Sequence, residues 1–151
     1  MIFVDSNYFI HLLTHHEKQS KIETFFDEKQ DLCTSMTVLN EVKYGILWYA
    51  SSKKLKTTKK YEIISHLKSN DPLLSEIMER YITFFINIRA SVIIYGSTAE
   101  DELLTCDLMT KYGFLPSDAS ILATMIHNNI STILTDDEDF KKVKEINVLT
   151  L

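Results

Sequence analysis

Five short apolar runs punctuate the chain: Ile2 to Val4, Leu32 to Thr34, Val92 to Ile94, Thr132 to Leu134 and Val148 to Leu149. Each is continuous rather than alternating, the pattern of strands covered on both faces. Between them, apolar positions recur with the period of a helix. Ile22, Phe25 and Phe26 form one core-facing stripe, and Val38, Val42, Ile46 and Tyr49 form a second. Leu73, Ile77, Tyr81, Phe84 and Ile88 form a longer one, and Leu103, Leu104 and Leu108, then Ile121, Leu122 and Met125, mark two more. Strands alternating with helices predict an α/β fold of three layers. Its central sheet is mostly parallel, of about five strands, with right-handed crossovers and helices on both faces.

The spacing departs from simple alternation once. Two helices, over 56–67 and 71–89, are predicted before the third strand, with Asn70-Asp71-Pro72 as the break and Asp71 as a cap. They make a helical insertion at about 52–90 in what reads as a single domain over 1–151. Only 2 Pro and 3 Gly favour long helices over a hairpin-rich fold. No apolar stretch reaches the roughly 18 residues needed to span a bilayer. The first residues lack the basic segment of a signal peptide, so a cytoplasmic protein is expected. Cys33 and Cys106 are read as buried thiols rather than a disulfide or metal pair. A net charge of −5 argues against a non-specific nucleic-acid binder. That argument weakens if several acids hold metal ions, because the remainder is then nearly neutral.

The acids fall in places that matter. Asp5 follows the first apolar run, at the end of a strand where open α/β sheets bind ligands. Asp136-Asp137-Glu138-Asp139 follows the fourth run directly. Asp118 comes after Leu115-Pro116-Ser117 at a helix start, and Glu41 lies about one turn beyond Thr37, the expected cap of its helix. Asp5 and Asp118 can each be read as a helix cap, and one or two of Asp136 to Asp139 as acids complementing a helix dipole. Glu41 resists that reading, because its neighbours Val38 and Val42 face the core and Lys43 points elsewhere. Two carboxylates about 4 Å apart at an effective dielectric near 20 repel by roughly 4 kcal/mol. If the four converge, a hard divalent cation is the natural compensation, and oxygen-only ligands suit Mg²⁺ or Mn²⁺.

The order Asp5, Glu41, Asp118, Asp137 resembles the acidic quartet of PIN-domain ribonucleases, most closely the VapC-type toxins. The matching passages are Ile2-Phe3-Val4-Asp5-Ser6-Asn7, then Ser35 through Gly45 with Glu41 in the acidic slot, then Pro116 through Thr124, and finally Ile133-Leu134-Thr135-Asp136-Asp137-Glu138-Asp139-Phe140. Together they span essentially the whole chain. The family's fourth acid falls two residues after a strand-end Thr or Ser. That selects Asp137, with Asp136 and Asp139 close enough to compete. Asp118-Ala119-Ser120 departs mildly from the family's third motif, where a branched residue often follows the Ala.

The resemblance implies metal-dependent endonucleolytic hydrolysis of RNA phosphodiesters. Asp5, Asp118 and Asp137 would hold Mg²⁺ or Mn²⁺, and Glu41 would bind through water or orient the attacking water. Thr135 would hold a carboxylate in place, and Ser6 and Asn7 would do likewise or touch the phosphate. It further implies the toxin of a toxin–antitoxin pair, with an antitoxin partner and a homodimer. The alternatives are an RNA-maturation nuclease, or a catalytically weak scaffold that binds protein.

Other features are read more plainly. Lys53-Lys54, Lys56 and Lys59-Lys60 form the densest basic run, and Lys141, Lys142 and Lys144 follow the last acids; either set is a candidate for RNA contact. His11 and His15 have the i, i+4 spacing of a zinc pair but lack a third ligand, and with His16 are expected at the surface. Tyr44, Trp48 and Tyr49 are read as core or interface residues rather than base-stacking platforms. Haloacid-dehalogenase and receiver folds also begin with a strand and an Asp. The first wants a second Asp where Asn7 stands, and the second wants an acidic pair and a late Lys that this chain lacks.

Overall fold

The computed structural model describes residues 1–14, 16–28, 31–69 and 72–151. Asp71, expected to cap a helix, and His15 of the histidine pair lie outside the described residues.

Five strands form one sheet in the order β3-β2-β1-β4-β5: β1 (Ile2–Val4), β2 (Leu32–Ser35), β3 (Val92–Tyr95), β4 (Thr132–Leu134) and β5 (Asn147–Leu149). Every pairing is parallel, with Phe3 opposite both Cys33 and Ile133. Among the described residues seven helices flank the sheet: α1 (Ser6–Thr14), α2 (Gln19–Glu28), α3 (Met36–Leu55), α4 (Lys60–Leu67), α5 (Pro72–Ile88), α6 (Ala99–Tyr112) and α7 (Pro116–His127). A 3-10 turn covers Glu138–Lys142. No helix among the described residues is long and apolar enough to cross a membrane.

The apolar runs predict the strands to within a residue at either end; the inner strands carry fully covered side chains such as Phe3, Val4, Cys33 and Ile133, whereas the edge strands β3 and β5 are partly open, with Ile93 exposed. Two stripes are less regular than predicted. Leu103 is 73% exposed and Tyr49 lies largely outside the core. Cys106 is exposed rather than buried; Cys33 is buried, and both are free thiols. Burial pushes the Cys33 thiol up to about 12.

Helix α3 is the main positioning element. Ser35, not Thr37, caps it: the Ser35 hydroxyl accepts from the Val38 N–H at 3.3 Å. Val38, Leu39, Val42 and Ile46 bury its core side, and each such side chain stabilises by about 1.5–3 kcal/mol relative to exposure. The helix runs on to Leu55, into the segment read as insertion, and ends where Lys56 turns left-handed at φ 51°. Gly45 lies where α3 crosses α1: a Cβ there would come within 2.5 Å of Ile10 Cδ1. Thr37 Oγ1 meets Ser120 Oγ at 3.1 Å, joining α3 to α7.

Candidate active site

An all-parallel sheet puts every strand's carboxyl end on one edge, and the acids gather there. Asp5 leaves β1, and the 136–139 acids leave β4, its hydrogen-bonded neighbour. Glu41 comes from the first half of α3, and Asp118 from the first turn of α7.

Asp5 is only 6% exposed. Its Oδ1 accepts from the Ser6 N–H at 2.6 Å, and its Oδ2 from the Thr135 hydroxyl at 2.6 Å and the Asn7 amide at 3.3 Å. Burial raises its pKa above the ordinary carboxylate value, against the lowering pull of the Thr135 and Ser6 hydrogen bonds. The Thr135 hydroxyl is saturated. It donates to Asp5 and accepts from the Asn7 amide at 3.2 Å and the Asp137 N–H at 3.0 Å. One hydroxyl thus ties the first acid to the turn that carries the last. Asn7 Oδ1 is buried with no partner, an acceptor left open beside Asp5.

Asp118 makes no hydrogen bond to any described residue and is pushed up to about 6. Burial is the largest cause, followed by the charges of Asp137, Glu41, Asp5 and Asp139. Those couplings show that all four sequence-predicted acids share one electrostatic field. Neither Asp5, Glu41, Asp118 nor Asp137 forms an ion pair within 4.0 Å with any described Lys, Arg or His.

The competing acids differ. Asp136 is taken by Lys18 Nζ at 2.8 Å, the Tyr8 hydroxyl at 2.8 Å and His11 at 3.5 Å. Burial would raise its pKa, but the Lys18 and Tyr8 hydrogen bonds outweigh burial and hold it low. Asp139 pairs with Lys142 at 2.7 Å. Asp137 keeps one oxygen open, its Oδ1 accepting from the Asp139 N–H at 2.8 Å.

A divalent cation suits the donor chemistry, since the acids are oxygen-only ligands without counter-charge and an open amide oxygen stands beside them. Among the described residues, however, no three His, Cys, Asp or Glu side chains surround one point closely enough to hold an ion. The charges of Asp137, Glu41, Asp5 and Asp139 act on Asp118, but among the described residues the acids do not form a closed cage.

The remaining sequence candidates take these places. Asp118 is no cap, for it lies inside α7, whose cap position is Leu115. His11 is half-buried: it stacks on His16 with centroids 4.0 Å apart and reaches Asp136. Lys53 contacts the Tyr49 hydroxyl and Lys54 approaches Glu76, both roughly 18 Å or more along α3 from Glu41. Lys141 pairs with Glu138 at 2.6 Å. A groove of about 750 Å³ lies along β3, lined by Phe26, Asp27, Arg89 and Ile93 among others, away from the acids. Sequence reading missed Lys18 and Tyr8 altogether; no local pattern ties either to Asp136.

The comparisons agree with this architecture. The PIN domain family model matches residues 2–146, and the chain belongs to that family. It is 29% identical over 153 residues to Ribonuclease VapC2 of Methanocaldococcus jannaschii, covering 99% of this chain and 93% of the relative. Among solved structures it resembles the sarcin-ricin loop cleaving toxin VapC20 of Mycobacterium tuberculosis, with a TM-score of 0.64 and 17% identity, covering 97% of this chain and 99% of that one. It also resembles DNA-bound VapBC from Salmonella typhimurium, with a TM-score of 0.64 and 16% identity, covering 99% and 96%. These structures share the fold: a five-stranded parallel sheet with helices on both sides.

Proposed function

We propose that the protein is a metal-dependent endoribonuclease, a nuclease hydrolase acting as the toxin of a toxin–antitoxin pair. The observation that carries this reading is the group of Asp5, Glu41, Asp118 and Asp137 at one sheet edge without a cationic partner, whose charges add to burial in raising Asp118 to about 6. The PIN family and the VapC ribonuclease and toxin–antitoxin relatives support it. Asp5, Asp118 and Asp137 would hold Mg²⁺ or Mn²⁺, since hard oxygen donors favour both. When bound, the cation lowers the pKa of water and offsets charge on the scissile phosphate. Glu41, half-buried and free of hydrogen bonds, binds through water or orients the water that attacks phosphorus as the bond to the leaving ribose oxygen breaks. Thr135 holds Asp5 in one orientation. Ser6 fixes the other Asp5 oxygen, and Asn7 offers its open Oδ1 to water or phosphate. An antitoxin protein is the proposed partner and a homodimer the proposed assembly, on one domain spanning 1–151 with the helical segment 52–90 inserted.

Cleavage of defined RNAs with and without Mn²⁺ tests the assignment. Asp5→Asn and Asp118→Asn should each remove metal-dependent cleavage from a folded protein; full activity in either metal-loaded variant overturns it. The absence of a closed cage favours one second reading, a weakened scaffold that binds protein. Calorimetric titration separates the two, because a scaffold takes up neither Mg²⁺ nor Mn²⁺. An RNA-maturation role uses the same site and differs only in having no antitoxin to co-purify.

A further inference from the structure

Beside Glu41 lies a groove of about 540 Å³ lined by Thr37, Asn40, Glu41, Tyr44, Gly45 and Ser117. No aliphatic side chain longer than a methyl lines it. Tyr44 is 59% exposed although aromatic, and one turn further along α3 Trp48 lies nearly parallel to it, at 15° with centroids 6.2 Å apart. Residues 37, 40, 41, 44 and 48 share one helix face by their spacing. Tyr44 stands roughly 4.5 Å along the helix axis from Glu41. The Asn40 amide, the Tyr44 hydroxyl and the Trp48 indole N–H bond to no described residue. An exposed Tyr44 ring backed by the half-buried Trp48, beside an open amide and next to Glu41, has the parts that grip an unpaired base: a π-face to stack on and polar groups for its edge.

We propose that Tyr44 and Trp48 form a stacking platform for an unpaired nucleobase next to the scissile phosphate, with Asn40 reading that base's edge. The inference rests on the ribonuclease reading and adds to it the residues that hold an unpaired base of the substrate. It also revises the expectation that these aromatics serve only as core or interface.

Trp48 is the only tryptophan, so its fluorescence reports the platform directly. The full chain, with chelator present to prevent hydrolysis, is titrated with a single-stranded oligoribonucleotide, an abasic oligonucleotide of equal charge, and an RNA duplex. The single strand should quench Trp48 saturably, and the other two should not. Tyr44→Ala should weaken single-strand affinity about five- to a hundredfold, as expected for the loss of one stacked base. Tyr44→Phe, which keeps the π-face, should bind within about threefold of wild type. Equal quenching by the abasic strand, or unchanged affinity in Tyr44→Ala, overturns the platform and leaves the aromatic pair to a protein contact. If RNA is still cleaved in Mn²⁺ in that case, the nuclease assignment stands and only the platform falls. A wild-type chain that neither binds nor cleaves single-stranded RNA overturns both.

Discussion

Asp101 and Asp118 occupy the same station on neighbouring helices, the third residue of α6 and of α7, yet their carboxyl pKa values are pushed in opposite directions. Asp101 completes a capping box with Thr98 and accepts from His127 Nδ1 at 2.7 Å. Burial would raise its pKa, but the Thr98 and His127 hydrogen bonds more than offset it, and the carboxyl sits below the ordinary value. Asp118 has the same favourable helix dipole and none of the partners, and burial with four neighbouring carboxylates lifts it to about 6. A helix N-terminus therefore does not decide what an acid there does. A partnered acid stabilises the fold; an unpartnered one among like charges opposes it, and is available to a cation.

The comparison breaks most sharply at activity. Asp118→Asn should lower metal-dependent RNA cleavage by more than about a hundredfold, beyond the loss typical of a supporting residue, without lowering Tm. Asp101→Asn should do the reverse, keeping cleavage while losing about 1–2 kcal/mol, a Tm drop of roughly 2–8 °C. A stability loss in Asp118→Asn equal to that in Asp101→Asn would erase the distinction.

Thr135→Val comes next. It removes the donor to Asp5 and the acceptor for the Asp137 N–H, so cleavage should fall about ten- to a hundredfold with apparent metal affinity falling alongside. A variant with wild-type metal affinity would show that the hydroxyl only supports the fold.

The fourth acid gives a smaller contrast among neighbours. Asp137→Asn should behave as Asp118→Asn does. Asp136→Asn and Asp139→Asn, which disturb ion pairs to Lys18 and Lys142, should cost less than about tenfold in cleavage. Rates in the order Asp136→Asn below Asp137→Asn would reassign the site.

The smallest effect is on pH dependence, and its sign differs between the two helices. Asp118 binds its proton more tightly folded than unfolded, so its contribution to stability is fully present below the ordinary pKa of 3.8 and is lost as pH rises through about 6. Asp101 has a lowered folded pKa; its contribution is present above 3.8 and is lost as pH falls through that lower value. Chemical denaturation of metal-free protein between pH 4 and 7 should show the Asp118 decline, flattened in Asp118→Asn and by added divalent cation. Apparent metal affinity should rise over the same range as the competing proton leaves. A profile identical in wild type and Asp118→Asn would refute the crowding account.

Much of this was legible in the chain because its causes are local. A run such as Ile2-Phe3-Val4 is buried on both faces whatever surrounds it, and Val38, Val42 and Ile46 repeat at the helical period that brings them to one side. Ser35 was passed over as a cap in favour of Thr37 because either hydroxyl suits a helix start; which one bonds depends on where β2 ends. Leu103 fits an apolar stripe by spacing, and only the packing of α6 against α7 leaves it outside. Tyr44 was read as buried or interfacial for the same reason, since periodicity cannot say which flank of a helix is left uncovered.

The sequence by itself determined the parallel α/β order and the candidate acids, because apolar runs and strand-end carboxylates are written within a few residues of one another. Tertiary structure alone separated the acids. Lys18 reaches Asp136 across 118 positions and Thr135 reaches Asp5 across 130, and each contact exists only once β1 and β4 lie side by side. Charge pairing depends on distance in space, and that distance is set by the fold.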